Sequence, residues 1–241
     1  MKLTELTING IGGIKSLYVK FRPDMNIICG PNGVGKSTLL LAASFPFLHG
    51  YTNRIKRNVT SETGSVSLII EDNSVNFNSV LDVNVHLPTE TIHNFNNNGF
   101  DKRKLIKFEI LRNFDYKHLE ALNADKSLSD DAVSQQINLG VNLHDIKDWF
   151  AKRDLFEKVD NGYGPNTIKN IHLARECISI LNPQFSYNRV DPKSYDIFVN
   201  TPTGVIWYEY LSSGFKSCMS LLLGIIKEIE LRYPEKDIYA Q

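Results

Sequence analysis

One stretch decides the fold, and it reads Gly30-Pro31-Asn32-Gly33-Val34-Gly35-Lys36-Ser37-Thr38. It fills the pattern G-x-x-x-x-G-K-[ST]. The apolar run Met25–Cys29, broken only by Asn26, precedes it and predicts a strand buried on both faces. An apolar helix is predicted next, from Leu39, Leu40, Ala43 and Phe47. A strand, a glycine-rich loop and a helix in this order favour a phosphate-binding loop.

The residue types in this loop suit a polyphosphate and its metal ion. Glycines let the backbone curl so that successive N–H groups point inward, and the following helix adds the positive end of its dipole. Lys36 is placed to reach β- and γ-phosphates, while the Ser37 hydroxyl can complete the shell of a Mg²⁺ ion. A glycine turn that only caps a helix is the alternative, which the full motif in its context disfavours.

Composition sets the broad class. The chain has 241 residues, of which 42% are hydrophobic and 22% charged, so it can bury a sizeable core and is not disordered. Lys plus Arg number 27 and so do Asp plus Glu, which leaves no global field for nucleic acid or an anionic membrane. No run is apolar enough for a membrane span, and residues 1–11 lack the features of a signal peptide. We therefore expect a cytoplasmic protein with no membrane contact.

Periodicity divides the chain into three stretches. Residues 1–112 alternate with a period of two around 17–21, 66–70 and 106–110, which predicts strands. In residues 113–185 the apolar spacing becomes helical, and this helical lobe ends at Asn182-Pro183.

The last stretch, residues 186–241, begins with short strands. A hairpin is predicted from Ile197–Val199 and Val205–Tyr208, with the turn residues 201–204 between them. Phe215–Tyr233 is dense in Leu and Ile, ends at Pro234 and predicts a long buried helix.

A second motif, Leu211-Ser212-Ser213-Gly214-Phe215-Lys216-Ser217, stands at the start of that helix. Small residues at a helix start present free N–H groups and can bind an anion. An ordinary serine cap of the helix is the alternative, because Ser is among the commonest capping residues.

The order of these features resembles the RecF/SMC-like branch of ABC-type ATPases, in which the second motif is the signature motif. A helix with Trp149-Phe150, Arg153 and Glu157 before it makes the chain similar to the AAA-ATP-binding proteins of bacterial defence loci. These include overcoming-lysogenization-defect (OLD) type nucleases and the ATPase subunits of Septu and retron systems. The fold that the resemblance implies is α/β, a P-loop NTPase of ABC/SMC type with a β-meander lobe and a helical lobe.

The resemblance also implies a shared ATP site. Residues Gly30 to Thr38 hold ATP and Mg²⁺ in one protomer, with Ser37 as the metal ligand. Ser212, Ser213 and Gly214 of a second protomer close on the γ-phosphate, so that ATP joins a homodimer or a higher oligomer. The loop Gly10–Lys15 occupies the place where relatives approach the adenine and ribose.

Two departures from the family pattern matter. The family's lobe-I Gln is missing, since no Gln precedes Gln135, and Asn58, Thr60, Ser61 or Glu62 are the candidates to replace it. A Walker B strand should follow the signature helix. The run Leu68–Asp72 has a similar composition, but it precedes the signature and alternates like a lobe-I strand, so we reject it.

The chain reaches Gln241 before a Walker B strand, so the sequence contains no catalytic acid that we can assign. We expect a truncated sequence or a continuation beyond Gln241. On that expectation, the apolar face of Phe215–Tyr233 should lie exposed.

The basic clusters, the histidines and the cysteines carry weaker functional signals. Arg54, Lys56 and Arg57 form one basic cluster, and Lys102, Arg103, Lys104 and Lys107 another; each could contact nucleic acid, although a solvated loop face is favoured. The six histidines show no paired spacing for a metal. Cys29, Cys177 and Cys218 are predicted to be buried free thiols.

The leading hypothesis is an ATP-hydrolysing switch subunit of an anti-phage defence complex, with an effector nuclease as a candidate partner. A non-hydrolysing assembly module is the alternative, with a Toprim-like nuclease in a missing C-terminal part or in a partner. A RecF-like role in DNA repair is the third, but the long heptad coiled coil expected there is absent from residues 116–181.

Overall fold

The computed structural model describes residues 1–48, 50–94, 101–108, 116–125, 128–159 and 162–234. They form two compact units. Unit 1 comprises Met1–Leu105 and Val133–Asn138, and unit 2 comprises Ile106–Ala132 and Leu139–Gln241. Unit 2 thus groups most of the helical stretch with the last stretch, and the division at residues 112 and 185 stays a prediction.

Unit 1 is built on a four-stranded antiparallel sheet in the order β2-β1-β4-β5. Its strands are β1 (Lys2–Ile11), β2 (Ile14–Lys20), β4 (Gly64–Asp72) and β5 (Val75–Val83), and a separate ribbon pairs β3 (Gly50–Thr52) with β6 (Ile92–Asn94). The sheet's buried face includes Leu6, Ile8, Val66, Leu68 and Ile70, all fully buried. Strict burial of every second residue in β4 is what the period of two predicted.

The turn between β4 and β5 is a two-residue turn. Asn73 and Ser74 both have positive φ, 50° and 65°, which matches the right-handed twist of the flanking strands. Asn and Ser tolerate this region better than bulkier residues, so the hairpin follows from local chemistry.

The helix after the phosphate loop, α1, spans Lys36–Ser44 and continues into a 3₁₀ turn, Phe45–Phe47. Its buried residues include Leu39, Ala42 and Ala43, whereas Leu40 is exposed. The predicted helix is therefore confirmed, with one apolar side in the core.

The predicted buried strand Met25–Cys29 is wrong. No strand forms there, and Met25 and Ile27 are 71% and 78% exposed. Asn26 instead closes a local turn: its Oδ1 accepts from Arg22 N at 2.8 Å and its Nδ2 donates to Arg22 O at 2.9 Å. Because no described strand pairs with this segment, its backbone takes the local bonds that Asn offers.

Two further expectations fail. Cys29 and Cys218 are exposed, and only Cys177 is buried. The strand predicted around 106–110 is not formed in its described part, where Phe108 makes a single bridge to Val141. Its last residues lie outside the described ranges.

Unit 2 contains the helices α3 (Ile146–Phe156), α4 (Pro165–Leu181) and α5 (Ser213–Arg232), beside a three-stranded antiparallel sheet. The sheet consists of β7 (Ser186–Val190), β8 (Ile197–Thr201) and β9 (Gly204–Trp207), so the predicted hairpin is confirmed and β7 was missed. A further helix, α2 (Asp130–Leu139), contributes residues to both units. The shared core includes Trp149, Phe150, Ile171, Ala174 and Leu223.

The expectation that the apolar face of α5 lies exposed is wrong. Met219, Leu223 and Ile226 are all buried. A Cβ added to Gly224 would come within 2.7 Å of Leu143 and 3.0 Å of Phe108, which shows how closely these side chains approach the helix. The face is covered within unit 2.

Buried charges also hold α5. Glu230, 5% exposed, accepts from Arg153 Nε at 2.7 Å, from Trp149 Nε1 at 3.1 Å and from Asn170 Nδ2 at 3.0 Å. Arg153 also donates to Asp125 at 2.7 Å. The Glu230 carboxylate therefore accepts hydrogen bonds from both α3 and α4, and it fixes α5 to both helices.

Candidate nucleotide-binding site

The phosphate loop has the backbone geometry that its glycines predicted. Gly30, Gly33 and Gly35 have φ of 154°, 83° and 102°, a region that residues with a side chain avoid. A Cβ at Gly33 would meet nothing within 4 Å, so this glycine is required by conformation alone. The loop can therefore turn its N–H groups toward an anion.

The start of α1 is open to a ligand. Gly35 is its N-cap residue and supplies no side-chain cap, and the first helical bond runs from Leu39 N to Gly35 O at 2.9 Å. The N–H groups of the first turn have no intrahelical acceptor. With Ser37 exposed at this end, these residues fit a phosphate group and a bound Mg²⁺ ion.

Lys36 lies over the loop. Its ammonium donates to the carbonyl oxygens of Gly30 and Pro31, both at 2.8 Å. Both acceptors belong to the loop itself, so the charge is held beside the backbone groups that the motif assigns to phosphate. Its contact with β- and γ-phosphates stays a prediction.

The turn between β1 and β2 forms one wall of this site. A Cβ at Gly35 would lie 2.9 Å from Ile14 Cγ1, and one at Gly12 would lie 3.4 Å from Thr38. The predicted adenine loop, Gly10–Lys15, therefore packs against the start of α1. The sequence placed it near the nucleotide only through the resemblance.

Asn58 fastens that turn. Its main-chain N donates to Gly10 O and its Nδ2 to Gly12 O, both at 2.7 Å, while its Oδ1 accepts from Thr60 N and Oγ1. The Asn58 amide thus has a partner at each end: its nitrogen binds the turn between β1 and β2, and its oxygen binds Thr60. A role for Asn58, Thr60, Ser61 or Glu62 in place of the missing Gln stays a prediction.

The first basic cluster donates to main-chain carbonyls. Arg54 binds Asn138 O, Lys56 binds Glu90 O, and Arg57 binds Ser61 O. These contacts close loops of unit 1 and support the structural alternative for the cluster. Contact of Arg54, Lys56 and Arg57 with nucleic acid stays a prediction.

Asp72 ends β4 in a structural ion pair. Lys104 donates to both of its oxygens at 2.8 Å, and these hydrogen bonds hold the pKa of Asp72 below its ordinary value. The strand Leu68–Asp72 is the lobe-I strand that its alternation predicted, paired with β1 and β5.

The second motif opens α5. Ser212 is the N-cap and its Oγ accepts from Phe215 N at 3.3 Å, as the capping alternative requires. Ser213 and Gly214 are exposed, and a Cβ at Gly214 would meet nothing within 4 Å. Neither a positive φ nor packing against the described residues requires glycine at position 214.

In the part of the chain that the structure describes, no three His, Cys, Asp or Glu residues gather into a metal-binding group. None of the described helices combines the length and apolar character needed to cross a bilayer.

Comparison with known proteins defines the class. A model of the AAA domain family matches residues 5–191, and the chain belongs to this family. Its architecture is mixed α/β, with the phosphate loop and helix α1 between strands β2 and β3 along the chain, which is the fold class that the resemblance implied.

The chain is 36% identical over 240 residues to the Septu protein PtuA of Bacillus thuringiensis. The match covers 96% of this chain and 59% of that protein, so the chain spans little more than half the length of its relative. The resemblance to the Septu type is confirmed, while its OLD and retron branches stay predictions. A solved SMC head domain from Thermotoga maritima aligns with a TM-score of 0.49 and 16% identity, covering 97% of this chain and 74% of that one.

Proposed function

We propose that the chain is the ATP-binding part of an ATPase that serves as the switch of an anti-phage defence complex. The phosphate loop carries this proposal, because three glycines at positive φ lead into a helix without a side-chain cap. The AAA family match and the identity to a Septu protein support the ATPase class and the defence role.

In this proposal each residue of the loop has a defined task. The N–H groups of Gly33 to Thr38 bind phosphate oxygens, Ser37 offers its hydroxyl to Mg²⁺, and Lys36 exchanges its carbonyl acceptors for phosphate. Bound ATP with Mg²⁺ supplies the phosphoryl group whose transfer to water resets the switch. The acid that activates this water is not assigned to any residue of the chain.

The test is Lys36→Ala, with Lys20→Ala as the matched control because Lys20 is an exposed lysine on β2. Removing the charged donor should weaken ATP binding at least tenfold, since a hydrogen bond to a charged group contributes about 1.5–3 kcal/mol. Titration calorimetry with ATP and Mg²⁺ measures this. Equal affinities for the parent and Lys36→Ala would exclude the loop as the binding site.

The second motif is proposed to act on the ATP of another protomer. Gly214 supports this proposal, because glycine is a poor helix former and none of the described residues lies within 4 Å of a Cβ placed there. A phosphate approaching the first turn of α5 would need that space. The ATP sandwich makes the active unit a homodimer or a multiple of it.

Ser213→Arg tests this role, because a long side chain at the exposed start of α5 obstructs a partner without touching the phosphate loop. We expect ATP to bind with parental affinity and ATP-driven association, followed by light scattering, to be lost. Gln184→Arg is the control, since Gln184 is exposed and lies outside the motif. Normal association of Ser213→Arg would leave Ser212 as a helix cap only.

A further inference from the structure

Unit 2 contains a cavity of about 290 Å³ beside the first three turns of α5. Four charged residues line it, and they come from four different segments of the unit: Lys117, Lys147, Glu209 and Lys216. Apolar side chains complete its wall: Leu143, Ile146, Ile197 and Leu223. The hydrogen bonds of the charged groups indicate what the cavity can bind.

Lys147 has no donor left to offer. Its ammonium donates to Asp196 Oδ1 at 2.5 Å and to Lys117 O at 3.0 Å, and it lies 3.1 Å from Glu209 Oε1. An ammonium group carries three N–H donors. Two of them are used in the hydrogen bonds to Asp196 and Lys117, and the third is left for the ion pair with Glu209 Oε1, so Lys147 does not satisfy Glu209 Oε2.

The second oxygen, Glu209 Oε2, is buried without a hydrogen-bond partner. The side chain as a whole is only 11% exposed. A buried acceptor left without a donor is costly, and in a native protein an ordered water, an ion or a bound ligand commonly supplies the missing partner. Glu209 therefore requires an N–H or O–H donor that the described residues do not supply.

Two lysines that line the same cavity have hydrogen-bond donors that no described residue uses. Lys216 Nζ donates to Glu209 O at 2.9 Å, which uses one of its three donors. Lys117 is exposed, and among the described residues its ammonium makes no hydrogen bond or ion pair. An anionic group in the cavity would therefore find donors on both lysines.

The size and polarity of the cavity limit the class of ligand that it can bind. At about 30 Å³ per water, the cavity has room for roughly ten waters, which places it at the lower end of small-molecule sites. A ligand must carry a donor for Glu209, a negative charge for the lysines, and an apolar part for the aliphatic wall. Free α-amino acids with apolar side chains combine these three properties.

We propose that this cavity binds a small zwitterion of the α-amino-acid class, with its ammonium on Glu209 Oε2 and its carboxylate on Lys117 and Lys216. The ligand touches α5 through Lys216 and Ser220, so binding at this site stabilises the start of that helix. The site uses no residue of the phosphate loop, so amino-acid binding can be measured independently of ATP binding at that loop.

The first experiment screens the protein against each protein amino acid by thermal shift and titration calorimetry, at millimolar concentrations. Leucine and phenylalanine should saturate the site. N-acetyl-leucine, which lacks the ammonium, and leucinamide, which lacks the carboxylate, should each bind at least tenfold more weakly. These comparisons need no variant, and failure of every amino acid to bind would overturn the proposal.

The second experiment uses Glu209→Gln. Its amide oxygen can still accept from Lys147, while its NH₂ group replaces the acceptor that the ligand's ammonium needs. Binding should fall at least tenfold. Glu120→Gln, at an exposed position of the same unit, should bind as the parent does. Equal binding by Glu209→Gln and the parent would overturn the assignment of Glu209.

Discussion

The phosphate loop of unit 1 and the buried charged cluster around Glu230 in unit 2 differ in what shapes them and in whether their polar groups already have partners. The loop is exposed and is shaped by backbone dihedrals at three glycines close in sequence. The cluster around Glu230 is buried and joins side chains that lie 60 to 81 positions away along the chain. The N–H groups of the phosphate loop are arranged by local geometry and can bind a ligand. The charged groups around Glu230 already have hydrogen-bond partners within the fold, so they contribute to stability.

The largest expected effect comes from Glu230→Ala. It leaves the buried Arg153 without one of its two carboxylates and removes the acceptor of Trp149 and Asn170. Breaking a buried ion pair costs about 3–5 kcal/mol, so the free energy of unfolding of unit 2 should fall by that amount.

Tryptophan fluorescence during urea unfolding measures this change, because Trp149 and Trp207 both lie in unit 2 and are the chain's two tryptophans. Glu176→Ala is the control, since Glu176 lies exposed on α4. Its effect should stay within about 0.5 kcal/mol. A loss below about 1 kcal/mol for Glu230→Ala would mean that the cluster contributes little to stability.

An intermediate effect is expected within the loop itself. Gly33→Ala places a side chain at φ 83° in open space and costs about 1–2 kcal/mol of backbone strain. Gly35→Ala adds a contact of 2.9 Å with Ile14, so it should cost about 1–3 kcal/mol more.

ATP affinity measured by calorimetry should therefore fall further for Gly35→Ala than for Gly33→Ala. Gly164→Ala is the control, because Gly164 has φ −70° and a Cβ there meets nothing within 4 Å. The reverse order of the two loop variants would show that ligand contact at Gly33, and not strain, controls binding.

The smallest expected effect is a pH dependence. Desolvation acts to raise the pKa of Asp125, but hydrogen bonds from Lys152 and Arg153 outweigh it and lower that pKa below its ordinary value. A group with a lowered folded pKa stabilises the fold above its unfolded pKa of about 4, and this contribution disappears as the pH falls through the folded pKa.

Asp125→Asn should therefore reduce the free energy of unfolding of unit 2 at neutral pH and make that stability less sensitive to acid below about pH 5. Because the side chain is 36% exposed, solvent screening limits the effect to about 1 kcal/mol. Tryptophan fluorescence across a series of urea titrations follows it. Asp24→Asn, an exposed site in unit 1, should leave the profile of unit 2 unchanged.

Features that depend only on neighbouring residues could be predicted from the amino-acid sequence. The phosphate loop, the alternation of β4, the hairpin of β8 and β9 and the limits of α5 all follow from spacing, turn residues and caps within a short window. The motif pattern also gave the family, which the match to residues 5–191 confirms.

Which segments pack against one another could be seen only in the folded chain. Met25–Cys29 has the composition of a buried strand and is nevertheless exposed, while the apolar face of α5, expected to be bare, is covered by side chains such as Leu143. Burial depends on which surfaces meet, and a one-dimensional pattern does not contain that information. The acceptor role of Glu230 and the unsatisfied oxygen of Glu209 are fixed in the same way, by hydrogen-bond geometry between segments far apart in sequence.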